Sequence, residues 1–350
     1  MTSERQHPDA LSLIELLQLL RNIVHTTSIP PVQQLQIMQI ISEILQASAT
    51  TTHFPLPGRD MQEIRGQNHV KRALEVAAAG KHNILLIGPH GSGKMLLART
   101  IPSLLPKSAS GVYPFRAPHH SIDEKAFIGT AKPISPGELT LAHEGVLLLE
   151  NIAAFKPPLI AVLRQAVEEH IVTITHRKKS MQFPANFLLV ATLEPCPCGF
   201  YGKQESKCMC SPEEIAQYMR QAQAVIDSCF DIRVEVRYVG EDILSKLPEE
   251  DSAHIRHRVE MAREVQQHRF KDTHFHVNAE LGPIDEIQRY CTIDKPGEKL
   301  LKTAQQQLHL SAQQVLRIQK VARTIADLTK SQLIAADHIA ESIQYQLPLK

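Results

Sequence analysis

Short apolar runs alternate with helical patterns between about residues 58 and 240. The runs that are typical of β-strands cover residues 83–87, 145–149, 171–175, 186–191 and 231–236. The run Ile-Leu-Leu-Ile at 84–87 is apolar throughout, which is typical of parallel strands that are buried on both faces. The alternation predicts an α/β domain that is built on a largely parallel sheet.

Beyond residue 240 the apolar residues recur at helical spacing instead. One predicted helix carries Ile255, Val259, Ala262 and Val265, and a later one carries Val315, Ile318, Val321, Ile325 and Leu328. The strand-like runs stop at the same point, so we predict an all-α second domain over residues 241–350.

The first 57 residues form a third kind of segment. Their apolar positions at helical spacing are Leu13, Leu16, Leu20 and Val24, then Leu35, Met38, Ile41 and Leu45. This pattern predicts two short amphipathic helices that join at Pro30 and Pro31. The stretch 50–58 contains threonines, prolines and a glycine without periodicity, which indicates a linker and a domain boundary near residue 57.

Composition and charge exclude several classes of protein. A length of 350 residues leaves room for roughly two domains, and the net charge of +1 excludes a global basic field, so contacts with nucleic acid would be local. The richest apolar stretch, residues 11–24, is interrupted by Glu15, Gln18 and Arg21, so it does not predict a membrane span. Glu4 and Asp9 stand where a signal peptide would be basic, and we therefore expect a cytoplasmic protein.

A glycine-rich segment follows the strand-like run 84–87 and precedes a helix predicted over residues 96–101. It consists of Gly88, Pro89, His90, Gly91, Ser92, Gly93, Lys94 and Met95. In this context it predicts a Walker A phosphate loop for ATP or ADP, because its backbone N–H groups can converge on phosphate oxygens while Lys94 reaches the β and γ phosphates. The alternative is a glycine-rich turn with an exposed lysine. Met95 replaces the usual Ser or Thr, and a thioether is a poor ligand for Mg²⁺, so we expect weakened Mg²⁺ binding.

The apolar run Val-Leu-Leu-Leu at 146–149 leads into Glu150 and Asn151. A P-loop enzyme needs an acidic residue at a strand end to hold Mg²⁺ and a carboxylate to polarise the attacking water. Glu150 can supply the first, but Asn151 stands in the place of the base and cannot accept a proton, a loss of about 10²- to 10⁴-fold in rate. The run can also serve only as core.

Four cysteines fall within an insert at residues 195–211. Cys196 and Cys198 form one pair, and Cys208 and Cys210 form the other. Four thiolates can hold a structural zinc ion, and free thiols or an iron–sulfur cluster are the alternatives. Such a zinc site has no open position and is therefore not catalytic. We expect Cys229 and Cys291 to be ordinary thiols.

Several longer motifs carry a family resemblance over about residues 58–350. They read IRGQNHVKRALE at 64–75, PFRAPHH at 114–120, PGELTLAH at 136–143, PCPCG at 195–199 and VARTIADL at 321–328. The chain resembles the magnesium-chelatase-like AAA+ ATPases of the YifB/ComM type, which have the same four cysteines. The resemblance implies an AAA+ P-loop core over residues 58–240, a helical lid over 241–350, and a homo- or hetero-oligomeric ring that works on DNA.

The chain departs from that family pattern at the positions that sense or cleave the γ-phosphate. The Walker A Thr is Met95, the Walker B Asp-Glu is Glu150-Asn151, the sensor-1 Asn aligns with Glu194, the arginine finger aligns with Cys229, and the sensor-2 Arg falls on Gln313. The resemblance also implies an N-terminal Lon-protease-like domain, in place of which we expect the two short helices of residues 1–57. We therefore expect a degenerate ATPase with impaired or lost hydrolysis. The alternative is a working ATPase motor on DNA in which Glu194 acts as the base.

Two further groups of residues each allow two interpretations. The segment 171–183 predicts a hairpin with a basic tip, Arg177, Lys178 and Lys179, which could touch DNA phosphates or form a solvated turn. His119, His120 and His143 lie in the motifs, where they could hold a second metal or form hydrogen bonds in loops and core.

Overall fold

The computed structural model describes residues 59–106, 113–131, 134–176, 179–203, 208–238, 249–282 and 284–346. These residues all belong to one compact unit, Leu56–Lys350. The predicted N-terminal helices lie outside the described residues.

A five-stranded parallel sheet forms the centre of the α/β part. Its strands are β1 (Ile84–Ile87), β2 (Phe115–Arg116), β5 (Val146–Leu149), β8 (Leu188–Leu193) and β9 (Ile232–Glu235). They lie in the order β2-β5-β8-β1-β9, so β1 is between β8 and β9, and Ile84 is opposite both Val190 and Ile232. The predicted α/β fold with a largely parallel sheet is confirmed.

Two antiparallel hairpins lie outside this sheet. One joins β3 (Gly129–Ala131) to β4 (Ile134–Pro136), and the other joins β6 (Ile171–His176) to β7 (Lys179–Pro184). The run at 171–175 therefore belongs to the hairpin that its sequence predicts and not to the parallel sheet. Arg177, Lys178 and the side chain of Lys179 lie outside the described residues.

Helices account for most of the remaining described chain. In the α/β part they are α1 (Asn68–Gly80), α2 (Lys94–Ala98), α3 (Ile101–Leu104), α4 (Glu124–Ile128), α5 (Glu138–Leu141), α6 (Pro157–Glu169) and α7 (Pro212–Cys229). Those that follow are α8 (Ser252–Arg269), α9 (Ile284–Tyr290), α10 (Lys295–Gln307), α11 (Ala312–Leu328) and α12 (Ala336–Gln344). Short 3₁₀ turns cover Met61–Glu63, Ile152–Ala154 and Asn278–Glu280. The helix predicted at 96–101 is wrong in its bounds, because the first turn already starts at Lys94 and a second helix starts at Ile101.

The two faces of the sheet contribute to two separate cores. Ile84 and Leu86 of β1 pack with residues of α1, α8 and α11, whereas Leu85 and Ile87 pack with residues of α6 and α7. The alternation follows from the period of two along a strand. A third core holds the C-terminal helices together around Ile318.

One predicted core position of α8 is wrong. Val265 is 39% exposed, and the neighbouring Gln266 is fully buried instead. The Gln266 side-chain amide donates to the carbonyl of Ala79 at 3.0 Å, at the carboxyl end of α1, where helix carbonyls lack partners within their own helix. The buried stripe of α8 therefore includes one polar residue that caps another helix.

Within the described helices, none is both long and apolar enough to cross a bilayer.

Candidate nucleotide and metal sites

Three parallel strands end at one edge of the sheet and bring the predicted site residues together. The phosphate loop, residues 88–95, follows β1, Glu150 and Asn151 follow β5, and Glu194 follows β8. In open α/β sheets the carboxyl ends of the strands form the usual ligand-binding edge. The strands β5, β8 and β1 are consecutive neighbours, so the three segments are adjacent.

Glycine is required in the phosphate loop for two different structural reasons. Gly91 and Gly93 have positive φ values of 80° and 88°, which side chains with a Cβ rarely adopt. Gly88 is needed for a close approach, since a Cβ there would lie 2.1 Å from the carbonyl oxygen of Val236. The loop can therefore curve tightly while it stays packed against the chain that follows β9.

Lys94 folds back onto its own loop. Its Nζ donates to the carbonyl oxygens of Gly88 at 2.6 Å and Pro89 at 2.8 Å. Burial lowers the pKa of Lys94, and the nearby carboxylates of Glu194 and Glu150 oppose this shift. One cation and two carboxylates therefore share the edge where a nucleotide phosphate would lie.

Ser92 and Met95 differ in what they offer to a ligand. The buried Ser92 hydroxyl has no hydrogen-bond partner among the described atoms, which is compatible with a ligand acceptor in the loop. Met95 packs its side chain against the apolar core beneath the loop. The loop therefore fits a phosphate but provides no hydroxyl for Mg²⁺ after Lys94.

Glu150 and Asn151 stand in different environments. Glu150 is exposed. Asn151 has a positive φ of 48°, its N–H donates to Thr192 Oγ1 at 2.9 Å, and its Oδ1 accepts from the Tyr218 hydroxyl at 3.3 Å. Burial, with the charges of Glu194 and Cys196, raises the pKa of Tyr218, so this hydroxyl remains a donor. The backbone N–H and the side-chain oxygen of Asn151 thus each have a hydrogen-bond partner at this edge of the sheet.

Glu194 lies between the phosphate loop and the cysteine insert. Its Oε1 accepts from His90 Nδ1 at 3.2 Å, because a carboxylate has no proton to donate. On its other side, a Cβ at Gly199 would lie 2.9 Å from Oε2, so the carboxylate packs directly on the backbone of Gly199. The His90 side chain is 73% exposed and reaches the edge of the site.

The four cysteines of the insert, Cys196, Cys198, Cys208 and Cys210, form one cluster, called the cysteine cluster below. Their sulfur atoms all lie within 4.8 Å of one another, and three of the sulfur pairs are 3.4, 3.7 and 3.5 Å apart. A tetrahedral zinc ion with Zn–S bonds of about 2.3 Å requires sulfur separations of about 3.8 Å. None of these thiols is in a disulfide. The donor set and its spacing therefore fit zinc.

Backbone donors surround this cluster. The N–H of Tyr201 donates to Cys196 Sγ at 3.4 Å. The backbone groups of Phe200 and Met209 lower the pKa of the Cys198 thiol to about 6, whereas burial and the neighbouring thiols raise the pKa of Cys208 and of Cys210. A bound metal would stabilise all four as thiolates. With zinc bound, the four thiolates would hold it as a closed structural site.

The remaining candidate residues lie elsewhere. Cys229 is buried, and burial raises its thiol pKa, while Gln313 is exposed at the start of α11. His119 contacts Ser121 Oγ at 2.7 Å and stacks near His120, and His143 Nδ1 accepts from the N–H of Asn186 at 3.1 Å. Across the described ranges, the cysteine cluster is the one group of metal-ligating side chains that the geometry brings together.

Sequence reasoning missed Tyr218 and Thr192 as neighbours of the site. Tyr218 belongs to α7 and is 67 residues from Asn151 in the chain, so no local spacing links the two. Thr192 is an ordinary polar residue within an apolar strand, and its position beside β5 is the one signal that could have pointed to Asn151.

Comparison with known proteins agrees with this geometry. Residues 60–112 and 107–244 match the family described as magnesium chelatase, subunit ChlI, and residues 249–346 match the C-terminal family of the same subunit. The chain belongs to the magnesium chelatase ChlI family. That family consists of AAA+ proteins, and a nucleotide is the ligand that it implies.

Individual relatives cover most of the chain. Competence protein ComM of Haemophilus influenzae is 35% identical over 311 residues, which cover 82% of this chain and 60% of ComM. The uncharacterized protein YifB of Escherichia coli is 34% identical over 311 residues, with the same coverage of 82% and 60%. An uncharacterized protein of Mycobacterium bovis is 30% identical over 324 residues, 85% of this chain and 63% of that protein. The chain thus spans about 60% of the length of the first two relatives.

Proposed function

We propose that this protein is a nucleotide-binding AAA+ protein with impaired or lost ATP hydrolysis, which acts as a nucleotide-dependent or structural partner in a ring assembly on DNA. The observation that carries the proposal is the environment of Asn151. Its backbone N–H donates to Thr192 Oγ1, its side-chain Oδ1 accepts from the Tyr218 hydroxyl, and this side-chain amide takes the position that we assign to the carboxylate base of an active P-loop enzyme. An amide cannot take a proton from water at neutral pH.

The binding side of the site is intact in chemical terms. The tight turns at Gly91 and Gly93 leave backbone N–H groups for phosphate oxygens, and Lys94 is already at the loop. Lys94 must exchange its contacts with Gly88 and Pro89 for the phosphates. This is a short movement of a flexible side chain, so the arrangement supports binding of ATP or ADP.

The hydrolytic side lacks its usual groups. Met95 is directed into the core, so Glu150 would hold Mg²⁺ without a hydroxyl partner. Glu194 adds a negative charge near Lys94, and at about 4 Å it would repel a γ-phosphate oxygen by roughly 4 kcal/mol for an effective dielectric constant near 20. The site therefore favours the diphosphate over the triphosphate.

The proposed ring and its DNA substrate rest on the resemblance to AAA+ ATPases of the YifB/ComM type and on two features of this chain. Cys229 is buried beneath the surface, so a neighbouring subunit would receive no cation from this position. This fits a mixed ring in which an active subunit hydrolyses ATP and this chain supplies no arginine finger to its neighbour. The basic tip Arg177, Lys178 and Lys179 is the proposed DNA contact, and zinc at the cysteine cluster is the proposed structural metal.

Calorimetric titration of the zinc-loaded protein with ADP and with ATP, with and without Mg²⁺, tests the proposal. We expect ADP to bind more tightly than ATP, and Lys94→Ala to abolish both. Lys125→Ala removes an exposed lysine of α4 and is the matched control that keeps binding. In the same preparations, phosphate release should not exceed that of Lys94→Ala. Mg²⁺-dependent turnover that disappears only in Lys94→Ala would refute the impaired hydrolysis.

One observation favours the second candidate, an active ATPase motor on DNA. Glu194 and His90 form a hydrogen-bonded pair beside the phosphate loop, and such a pair can accept a proton from water. If this candidate is correct, Glu194→Gln abolishes turnover while ADP affinity is kept. Under the favoured proposal, Glu194→Gln instead strengthens ATP binding, because it removes the repelling charge.

A further inference from the structure

The phosphate loop and the cysteine insert contact each other directly. The backbone N–H of His90 donates to the carbonyl oxygen of Gly199 at 2.7 Å. The ring of His90 lies edge-on to Phe200, with 6.3 Å between the ring centroids. Gly199 itself comes directly after Cys198, and its N–H donates to the carbonyl of Cys196 at 3.0 Å. Gly199, which is bonded to two residues of the cysteine cluster, is therefore a hydrogen-bond acceptor for the phosphate loop.

The same glycine determines where Glu194 can lie. A Cβ at Gly199 would be 2.9 Å from Oε2 of Glu194 and 3.0 Å from its carboxyl carbon. On the opposite side the carboxylate accepts from His90. The Glu194 carboxylate is thus held between the insert and the loop, and its charge acts on Lys94.

The insert has few means of keeping this arrangement without a metal. Of the described residues 196–203, Cys196 and Gly199 are buried, and the others are half-buried or exposed, with Tyr201 47% exposed. A segment that buries so little apolar surface does not offset its loss of conformational entropy. Metal binding supplies the missing free energy, since four thiolates converge on one ion.

We propose that metal binding at the cysteine cluster positions Gly199 and Glu194 against the phosphate loop, so that zinc occupancy and nucleotide affinity are thermodynamically coupled. Gly199 is a positioning residue, because it acts through His90 and Glu194. This inference rests on the proposed nucleotide binding. Zinc fixes the loop in its curved form and keeps the Glu194 carboxylate directed toward His90, so zinc raises nucleotide affinity. With one backbone hydrogen bond and one oriented carboxylate at stake, zinc should raise nucleotide affinity by about fivefold or more.

Linkage gives the inference two independent readouts. Nucleotide must raise zinc affinity by the same factor by which zinc raises nucleotide affinity. The first readout is calorimetry of ADP binding to the full chain, with zinc loaded and with zinc stripped by a chelator. The second is competition for zinc with a chromophoric chelator, with and without saturating ADP, which needs no turnover.

Two glycine variants of the same insert separate positioning from general disturbance. Gly199 and Gly202 both have positive φ values, 76° and 81°, so an alanine strains the backbone at either one. A Cβ at Gly202 meets nothing within 4 Å, whereas at Gly199 it meets Glu194. We expect Gly199→Ala still to bind zinc, but its ADP affinity should differ by no more than about twofold between the zinc-loaded and zinc-stripped forms. Gly202→Ala should keep the full difference.

Each outcome decides the inference. Equal ADP affinity in the loaded and stripped forms, or loss of coupling in Gly202→Ala as in Gly199→Ala, overturns it and leaves the proposed nucleotide binding intact. Absence of ADP binding in both forms refutes the proposed function, and the coupling with it, while zinc binding is still measured separately. If the stripped protein unfolds, the loaded glycine variants decide: ADP affinity must fall in Gly199→Ala alone.

Discussion

Replacement of Asp327 by asparagine tests the buried charge network of the C-terminal helices. The Asp327 side chain is fully buried and accepts hydrogen bonds from Arg269, Arg323 and Asn278, at 2.8, 3.1 and 2.9 Å for three of these contacts. Arg323 is only 2% exposed. In the variant, buried guanidinium groups would lose their counter-charge, which destabilises a protein by about 3–5 kcal/mol.

For a unit of this size, a change of 1 kcal/mol lowers the melting temperature by roughly 2 °C, so Asp327→Asn should melt about 6–10 °C lower. The chain has no tryptophan, so unfolding is best followed by far-ultraviolet circular dichroism, with heat and with urea. The control is Asp337→Asn, which changes a carboxylate that is 83% exposed and should shift melting by about 1 °C or less. A shift below about 2 °C in Asp327→Asn would refute the assigned network.

The same network reaches the strand that carries the phosphate loop. Asn278 donates to Thr324 Oγ1 at 3.0 Å, and Thr324 contacts His82 Nε2 at 2.7 Å, shortly before β1. Asp231 lies on the other side of the His82 ring at 3.4 Å, just before β9. A continuous set of buried polar contacts therefore links the C-terminal helices to two strands of the sheet.

Three further predictions concern the loop, pH and the metal. Gly88→Ala should abolish ADP binding in calorimetry, because its Cβ would lie 2.1 Å from the Val236 carbonyl oxygen, whereas Gly282→Ala, with nothing within 4 Å, should not. Burial lowers the pKa of His82, so the folded state favours the neutral imidazole. The contribution of neutral His82 to the free energy of unfolding is therefore complete above the pKa of the unfolded chain, about 6.5, and is lost as the pH falls. The urea midpoint should therefore be lower at about pH 5.5 than at about pH 7.5, and less so in His82→Gln; an unchanged difference would contradict this role. Treatment with an organomercurial should release about one zinc ion per chain. Removal of zinc by a chelator should make the cluster thiols react faster with a thiol reagent. An equal reaction rate before and after the chelator is added would contradict the zinc site.

The local pattern of apolar residues was sufficient to predict the central strands. It was insufficient for elements that are stabilised by contacts with distant parts of the chain. The apolar run of β1 is visible in the sequence because both of its faces are buried. The strand β2 contains only Phe115 and Arg116, and it exists because it pairs with β5. The burial of Gln266 in place of Val265 likewise depends on the carbonyl of Ala79 in another helix. Such positions depend on tertiary partners that periodicity does not reveal.

The candidate site divides in the same way. Lys94 and Glu150 could be placed from sequence, because each follows a strand-like run and parallel strands end at one edge. Glu194 was added by the family resemblance alone. The contact of His90 with Gly199 joins residues 109 positions apart and depends on how the insert folds back over the edge. Backbone contacts of this kind carry no residue signature, so only the structure places them.

The strand order also determines when the ligand edge can form during synthesis. The residues of β1 leave the ribosome early, but their two neighbours follow much later, since Ile84 pairs with Val190 on one side and with Ile232 on the other. At common elongation rates the first partner appears roughly 5–20 s after β1. Until then an apolar strand has two unpaired edges, which makes the nascent chain a candidate for chaperone binding. The nucleotide edge is consequently among the last parts of the α/β region to be completed.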